Sequence, residues 1–303
     1  MSILDSIGNT PLVEITRIHR NNRVRISAKL EGANPAGSVK DRIAFYMIKK
    51  GLESGQLAPD KTVLEATSGN TGIGLGMVCA AYGLKLKLAM PECVSLERRR
   101  ILEAFGAQLV LTDPKQGTDG AIRKVWEILE AEPERYWLAN QFDNGNNPQA
   151  HYETTGREIW EQTRGEVTHF VAGMGTTGTL MGVGRRLREQ NRQVQVIGVE
   201  PVPGHAIQGL KNMSEAIVPS IYEPNKLNQL LSTQDEEAFQ MARRLTVEEG
   251  IFVGMSSGAA LAGALQAAQD APAGSTIVTL FPDRGERYLS TALFSSICAK
   301  CPP

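Results

Sequence analysis

Lys61-Thr-Val-Leu-Glu-Ala-Thr-Ser-Gly-Asn-Thr-Gly72 opens the stretch that decides the fold, which runs on through Ile73 to Tyr82 and then Lys85-Leu-Lys-Leu-Ala-Met90. Residues 61–66 form a short run with apolar and β-branched side chains, which reads as a strand. Residues 67–72 are a Ser/Thr/Gly loop, 70–82 read as a helix, and 85–90 as a second strand. Strand, loop, helix and strand in so short a span make a βαβ unit, whose two strands are parallel because the connection crosses over the sheet. The same alternation continues outward, with helices expected at 95–105 and 119–131 around a strand at 108–112. Further strands are expected at 168–172, 195–199, 227–232 and 276–281, and helices at 178–190, 235–249, 257–269 and 286–297. A helix beginning near Ser38 precedes the unit. This is an α/β pattern with mostly parallel sheets covered by helices on both faces. The polar stretch Gln141-Phe-Asp-Asn-Gly-Asn-Asn-Pro148 is the best break in it.

Length and composition agree with that reading. A chain of 303 residues suggests about two domains. With 42% apolar and 21% charged residues it resembles ordinary globular proteins, which argues against disordered or fibrous structure. Lys plus Arg is 32 and Asp plus Glu is 33, a net charge of −1. That balance argues against nucleic acid or an anionic membrane surface as a partner, since both demand a basic excess. The start lacks a signal-peptide pattern and no apolar run reaches membrane-spanning length, so a cytoplasmic protein is expected. Four cysteines are too few for a disulfide scaffold. Cys79 and Cys93 read as reduced structural thiols. Cys298 and Cys301 form a single CxxC with no second ligand pair, and no metal site is expected.

The 30 glycines are unevenly spread: the windows 69–76, 173–184 and 254–263 hold 12 of them. Each window opens with a Ser/Thr/Gly loop, namely Thr67-Ser-Gly-Asn-Thr-Gly72, Gly173-Met-Gly-Thr-Thr-Gly-Thr179 and Gly254-Met-Ser-Ser-Gly258. Each loop leads into a helix, where unpaired N–H groups and the positive end of the dipole favour anions. One such loop is adequately explained as an N-cap. Three of them point to a ligand site at the carboxyl edge of the sheet. Gly173-x-Gly175-x-x-Gly178 also matches a dinucleotide fingerprint, with Glu200 at the end of the next strand where a ribose-binding acid would stand. Thr176, Thr177 and Thr179 suit a terminal phosphate better than a pyrophosphate.

A dinucleotide reading also leaves Asn34-Pro-Ala-Gly-Ser-Val-Lys-Asp-Arg42 without a role. Lys40 falls in the first turn of the helix there, where the dipole and partial burial both disfavour an ammonium. A neutral lysine amine is what a Schiff base requires. A phosphate loop together with an aldehyde-capturing lysine points to pyridoxal 5′-phosphate.

Ile7-Gly-Asn-Thr-Pro-Leu12, Lys29-Leu-Glu-Gly32, the Asn34–Arg42 segment, the three glycine loops and Asp283-Arg-Gly-Glu-Arg-Tyr-Leu-Ser-Thr291 together carry a resemblance that runs nearly end to end. The chain resembles the cysteine synthase (O-acetylserine sulfhydrylase) family of fold-type II pyridoxal-phosphate enzymes. The Ala-Gly before Ser38, the run from His151 to Trp160, Thr168-His-Phe-Val171 and Asp283-Arg284 are similar to its B branch. The resemblance implies two three-layer αβα domains with mostly parallel twisted sheets, as in the tryptophan synthase β-subunit. A smaller substrate-binding domain would span 36–142; a larger cofactor-phosphate domain would comprise 1–35 and 143–303. It implies that Lys40 is the catalytic, cofactor-linked lysine and that Asn70 bonds the ring hydroxyl oxygen. Gly175, Thr176, Thr177, Gly178 and Thr179 would cradle the phosphate, and Ser256 would face the pyridine nitrogen. Thr67, Ser68, Thr71 and Gln141 would hold the substrate carboxylate. The implied reaction is β-replacement, making L-cysteine from O-acetyl-L-serine and sulfide, in a cytoplasmic homodimer. Thiosulfate is a second candidate sulfur donor, although Gly209-Leu-Lys211-Asn212 keeps one cation where related B-type sequences often have two arginines. The alternatives are replacement of serine's hydroxyl by a thiol, as in cystathionine β-synthase, a nicotinamide dehydrogenase using Gly173–Gly178 and Glu200, and a non-catalytic binding module.

The remaining conspicuous residues have ordinary readings. His19, His151, His169 and His205 show no ligand spacing. Arg98-Arg-Arg100 and Arg185-Arg186 read as solvated helix faces, Phe239, Met241 and Leu245 as core, and Trp126 and Trp160 as helix anchors.

Overall fold

The computed structural model describes residues 1–20, 23–67, 69–94 and 96–294. In chain order it has β1 (Leu12–Glu14), β2 (Arg25–Leu30), α1 (Lys40–Glu53), β3 (Thr62–Ala66), α2 (Asn70–Tyr82), β4 (Lys85–Pro91), α3 (Leu96–Ala104), β5 (Gln108–Thr112), α4 (Gly117–Ala131) and β6 (Tyr136–Leu138). There follow α5 (Asn146–Glu153), α6 (Thr155–Gln162), β7 (His169–Gly173), α7 (Gly178–Gln190), β8 (Gln195–Pro201), β9 (Gln229–Thr233), α8 (Asp235–Glu249), α9 (Met255–Asp270) and β10 (Thr276–Phe281). These strands make two sheets, one of four strands in the order β5-β4-β3-β6 and one of six in the order β1-β2-β10-β7-β8-β9. Every pairing is parallel except β1 with β2 at the edge of the larger sheet.

Each sheet is covered on both faces, which is why its central strands are mostly apolar and buried along their whole length. All of β3 and all of β10 are buried. Successive side chains alternate between faces. In the smaller sheet Val63 packs with α1 and α2 residues such as Met47 and Ile73, while Leu64 and Ala66 pack with Ala121 and Val125 of α4. In the larger sheet Ile277 and Phe281 pack with Ala242 of α8 and Leu261 of α9, and Val278 and Leu280 pack with Ile159 of α6 and Val183 of α7. Both units are three-layer αβα, the α/β architecture anticipated.

The local signals act as their chemistry predicts. Helix α2 is buried along most of its length, and Gly83 ends it in the left-handed conformation with φ +69°. Small residues let helices approach: a Cβ on Gly258 of α9 would stand 1.9 Å from the Ala238 carbonyl oxygen of α8. Several expectations change. The segment 286–297 does not start as an α-helix; Gly285–Tyr288 is a 3-10 turn, and residues 295–297 lie outside the described residues, as do Cys298 and Cys301. Helix α9 does not directly follow a strand, but an isolated bridge from Val253 to Arg284 brings its start to the end of β10. Cys79 is buried, with its thiol pushed up to about 12 by burial, whereas Cys93 is exposed. Trp126 is 45% exposed, so it is not the buried anchor expected.

Candidate active site

The carboxyl ends of β3 and β7 and the starts of α1, α2, α7 and α9 meet around a cavity of about 140 Å³, the position that open parallel sheets reserve for ligands. Lys40 lines it as the first residue of α1. The preceding loop is tied down at several points. The Asp41 carboxylate accepts from the Ala36 N–H at 2.6 Å and from the Ser38 hydroxyl at 3.3 Å, and the Val39 N–H donates to the Pro282 carbonyl at 2.8 Å. Burial lowers the Lys40 amine to about 8, opposed by the charge of Asp283.

The first glycine loop follows β3. Thr67 and Thr71 line the cavity beside Gln141. The Thr71 hydroxyl donates to Gln141 Oε1 at 2.6 Å, and Gln141 Nε2 donates to the Ala66 carbonyl at 3.1 Å. Beneath them Glu65 accepts from the N–H groups of Ala66 and Gln141 at 2.9 and 3.1 Å. Burial still raises its carboxyl to about 7 against those donors. Asn70, the first residue of α2, donates from Nδ2 to Asp283 at 2.6 Å and accepts from Arg287 at Oδ1. Ser68 lies outside the described residues.

The second loop turns from β7 into α7. Gly175, Thr176, Thr177 and Thr179 line the cavity. Gly175 and Gly178 are glycines for space: a Cβ would stand 2.6 Å from the Gly209 carbonyl oxygen in the first case and 2.0 Å from Asn147 Oδ1 in the second. Thr177 has φ +67°, a left-handed conformation rare for a β-branched residue and one that stores strain. Its buried hydroxyl has no hydrogen-bond partner among the described residues. Asn147 donates to the Thr176 hydroxyl at 3.1 Å, and its own buried Oδ1 is unpartnered in the same sense. Ser256, the second residue of α9, closes the far side. Thus the cavity gathers Lys40, Asn70, Thr67, Thr71, Gln141, Gly175, Thr176, Thr177, Thr179 and Ser256, with Gly178 packed behind the loop.

Several residues in and around the cavity have surroundings that the sequence alone does not give. Arg98 is buried at its rim, its guanidinium 5.2 Å from the Tyr288 ring centre, and is no solvated helix face. His151 is fully buried between the Thr155 hydroxyl at 2.9 Å and the Thr179 hydroxyl at 3.2 Å, and burial holds it neutral. Lys211 lines the mouth and pairs with Asp119 at 3.2 Å. Asn212 turns away, donating to the Pro201 carbonyl at 2.8 Å. Glu200 accepts from the Met213 N–H at 3.3 Å and is not among the lining residues, which removes the acid a dinucleotide reading needs. Asp283 accepts from Tyr288 nearby in the chain and from Asn70 far from it in sequence, and no local pattern announces the second contact.

Comparison with known proteins finds relatives over nearly the whole chain. Residues 3–283 match the family described as "Pyridoxal-phosphate dependent enzyme". The chain is 50% identical to the cysteine synthase of Aquifex aeolicus, covering 97% of this chain and 92% of that protein. It is 46% identical to cysteine synthase B of Salmonella typhimurium, covering 95% and 94%. The crystal structure of cysteine synthase from Entamoeba histolytica superposes with a TM-score of 0.91 at 40% identity, over 97% of this chain and 90% of that one. A match over nearly the whole length at this identity places the chain in the pyridoxal-phosphate dependent enzyme family.

Proposed function

We propose that this protein is a cysteine synthase: it replaces the acetoxy group of O-acetyl-L-serine with sulfide, giving L-cysteine and acetate. The observation that carries the reading is Lys40, a buried amine lowered to about 8 in a cavity it shares with the Gly175–Thr179 loop, whose Thr177 hydroxyl has no partner among the described residues, and with Thr71 and Gln141.

The residues present suit pyridoxal phosphate. The Thr177 hydroxyl is buried without a partner among the described residues, which is costly unless a ligand uses it. The glycines at 175 and 178 let the Gly209 carbonyl and Asn147 pack close against the loop, which fixes its shape. In this reading Gly175, Thr176, Thr177, Gly178 and Thr179 hold the phosphate at the start of α7. Asn70 and Ser256 orient opposite edges of the ring, and Ser256 offers a neutral hydroxyl where a carboxylate would hold a proton on the ring nitrogen. When bound, the cofactor supplies an aldehyde that captures the substrate amine and a ring that draws electrons from its Cα. Thr67, Ser68, Thr71 and Gln141 hold the substrate carboxylate, and this fixes which face of Cα meets Lys40. The freed Lys40 Nζ takes the Cα proton, acetate departs from Cβ, sulfide adds there, and Lys40 returns the proton to Cα. An amine near 8 has a sizeable basic fraction at neutral pH, which an ordinary lysine lacks.

The same reading carries the division into 36–142 and the remainder, supported by the smaller sheet's confinement to residues 62–138. It also carries a homodimer in the cytoplasm, and thiosulfate as a second donor reaching Lys211. Purified protein is expected to be yellow, to lose its visible band with borohydride, and to carry the reduced label on Lys40 by mass spectrometry. With O-acetylserine and sulfide it should release cysteine and acetate in equal amounts. A colourless protein that binds a nicotinamide dinucleotide would sink the reading.

A further inference from the structure

Asp283, the second residue past β10, is 1% exposed and has no part in the mechanism above. Its Oδ2 accepts two hydrogen bonds, from Asn70 Nδ2 and from the Tyr288 hydroxyl, each at 2.6 Å. Its Oδ1 is buried without a partner among the described residues. The backbone at Asp283 bridges Ser38, two residues before Lys40. The side chain has room because residue 254 is glycine: a Cβ there would stand 2.4 Å from Oδ1.

The amide of Asn70 is held at both ends by opposite charges. Asp283 takes an N–H, and Arg287, which also donates to the Ala36 carbonyl, donates to the oxygen. An isolated amide can flip at little cost, but this one cannot, since flipping would set its oxygen against a carboxylate and its NH₂ against a guanidinium. One N–H therefore remains for the cavity that Asn70 lines.

We propose that Asp283 is a positioning residue for the β-replacement, acting through two others: its carboxylate fixes which end of the Asn70 amide serves the cavity, and its charge stands beside Lys40. The inference rests on the roles proposed above for Lys40 and Asn70. Other charged or titratable groups around this corner are Asp41 and Arg42 on α1, Glu65 at the end of β3, Arg98 from α3, His151 from α5, Lys211 at the mouth, and Arg287 and Tyr288 beyond β10. Asp283→Asn leaves all of them in place. Its amide oxygen can still accept from Asn70 and Tyr288, so this variant removes the charge and keeps the shape.

The test uses the holoenzyme. In Asp283→Asn the lysine–cofactor linkage should lose its proton at a pH about one unit lower than in wild type, as expected for loss of a neighbouring opposite charge. The readout is the pH midpoint of the visible absorption band, which mere loosening of the fold would not displace in that direction. In Asp283→Ala cofactor dissociation should increase about tenfold by equilibrium dialysis. Because that effect runs through Asn70, the Asp283→Ala/Asn70→Ala double variant should bind cofactor no more weakly than the worse single variant. An unmoved midpoint in Asp283→Asn overturns the proposal, as does an additive double variant, and the first result decides it if the alanine variants do not fold. Absence of a Lys40-linked band in wild type would instead overturn the cofactor reading beneath it.

Discussion

Two clusters of buried polar side chains lie near the start of α1, and they are treated oppositely. In the first, Lys29, Glu31, Arg42 and Glu158 bring two cations and two carboxylates out of water. Arg42 meets Glu31 at 2.7 and 2.8 Å and Glu158 at 2.6 and 2.8 Å. Lys29 meets Glu158 at 2.7 Å, the Thr10 carbonyl at 2.6 Å and Gln162 at 2.8 Å. Thr10 donates to Glu31 at 2.7 Å. The second cluster, two residues back along the chain at Lys40, contains oxygens of Thr177, Asn147 and Asp283 that have no partner among the described residues. A closed cluster holds β2, α1 and α6 together and has no capacity to bind anything else. An open one is unfavourable in the empty chain and becomes favourable when a ligand completes it.

That contrast can be broken by substitution. Lys40→Ala should lower turnover by more than about a thousandfold, or about 4 kcal/mol in the barrier, and abolish the lysine-linked band. Its melting temperature without cofactor should not fall, because a poorly solvated amine is removed. Wild-type turnover in that variant would contradict the site. Arg42→Met should do the reverse, costing about 3–5 kcal/mol in urea unfolding by leaving Glu31 buried without its paired cation and Glu158 with Lys29 alone. A loss below 1 kcal/mol would show that the closed cluster is not what joins those elements. Gly178→Ala sets a Cβ against Asn147 and should cost about 1–3 kcal/mol of strain. Cofactor should leave it faster on dialysis, and unchanged retention would argue against the loop's role.

Smallest and subtlest is the pH response. Glu158 is pushed up by burial but held at about 2 by its bonds and charges with Arg42 and Lys29. Its contribution to stability is complete above its ordinary 4.5 and is lost as pH falls toward 2. Glu65, raised to about 7 by burial, has the opposite sign: ionising it costs stability as pH rises from 4.5 through 7. Glu65→Gln should therefore flatten the unfolding free energy between pH 5 and 7 and leave the acid limb unchanged. A slope that persists in that window would assign the titration elsewhere.

The same two clusters mark how far the sequence could be read. The open site was legible because glycine, serine and threonine concentrate in local loops, and a helix start is a local property. Helix α2 was bounded correctly at Asn70 and Tyr82 because Gly83 marks its end. The closed cluster was not legible, because its logic is nonlocal. Lys29 is the penultimate residue of β2, and a fully buried lysine breaks the apolar pattern that identifies a strand. Its compensation comes from Glu158, in a helix far along the chain. Strand β6, only three residues long, gives too short a period to detect. Asp283 and Asn70 meet across 213 positions, so neither segment signals the other.

Strand order has a consequence for how the chain is made. Strand β10 sits between β2 and β7, so the middle of the larger sheet is the last of it to be synthesised. The smaller sheet can close once β6 has emerged, but β10 begins about 245 residues after β2 ends and about 100 after β7 ends. At about 5–20 residues per second the second interval is about 5–20 s, during which the nascent protein presents both strand edges unpaired. Arrest of translation before residue 276 should thus leave a species prone to aggregate, and chaperones would have most to protect in that window.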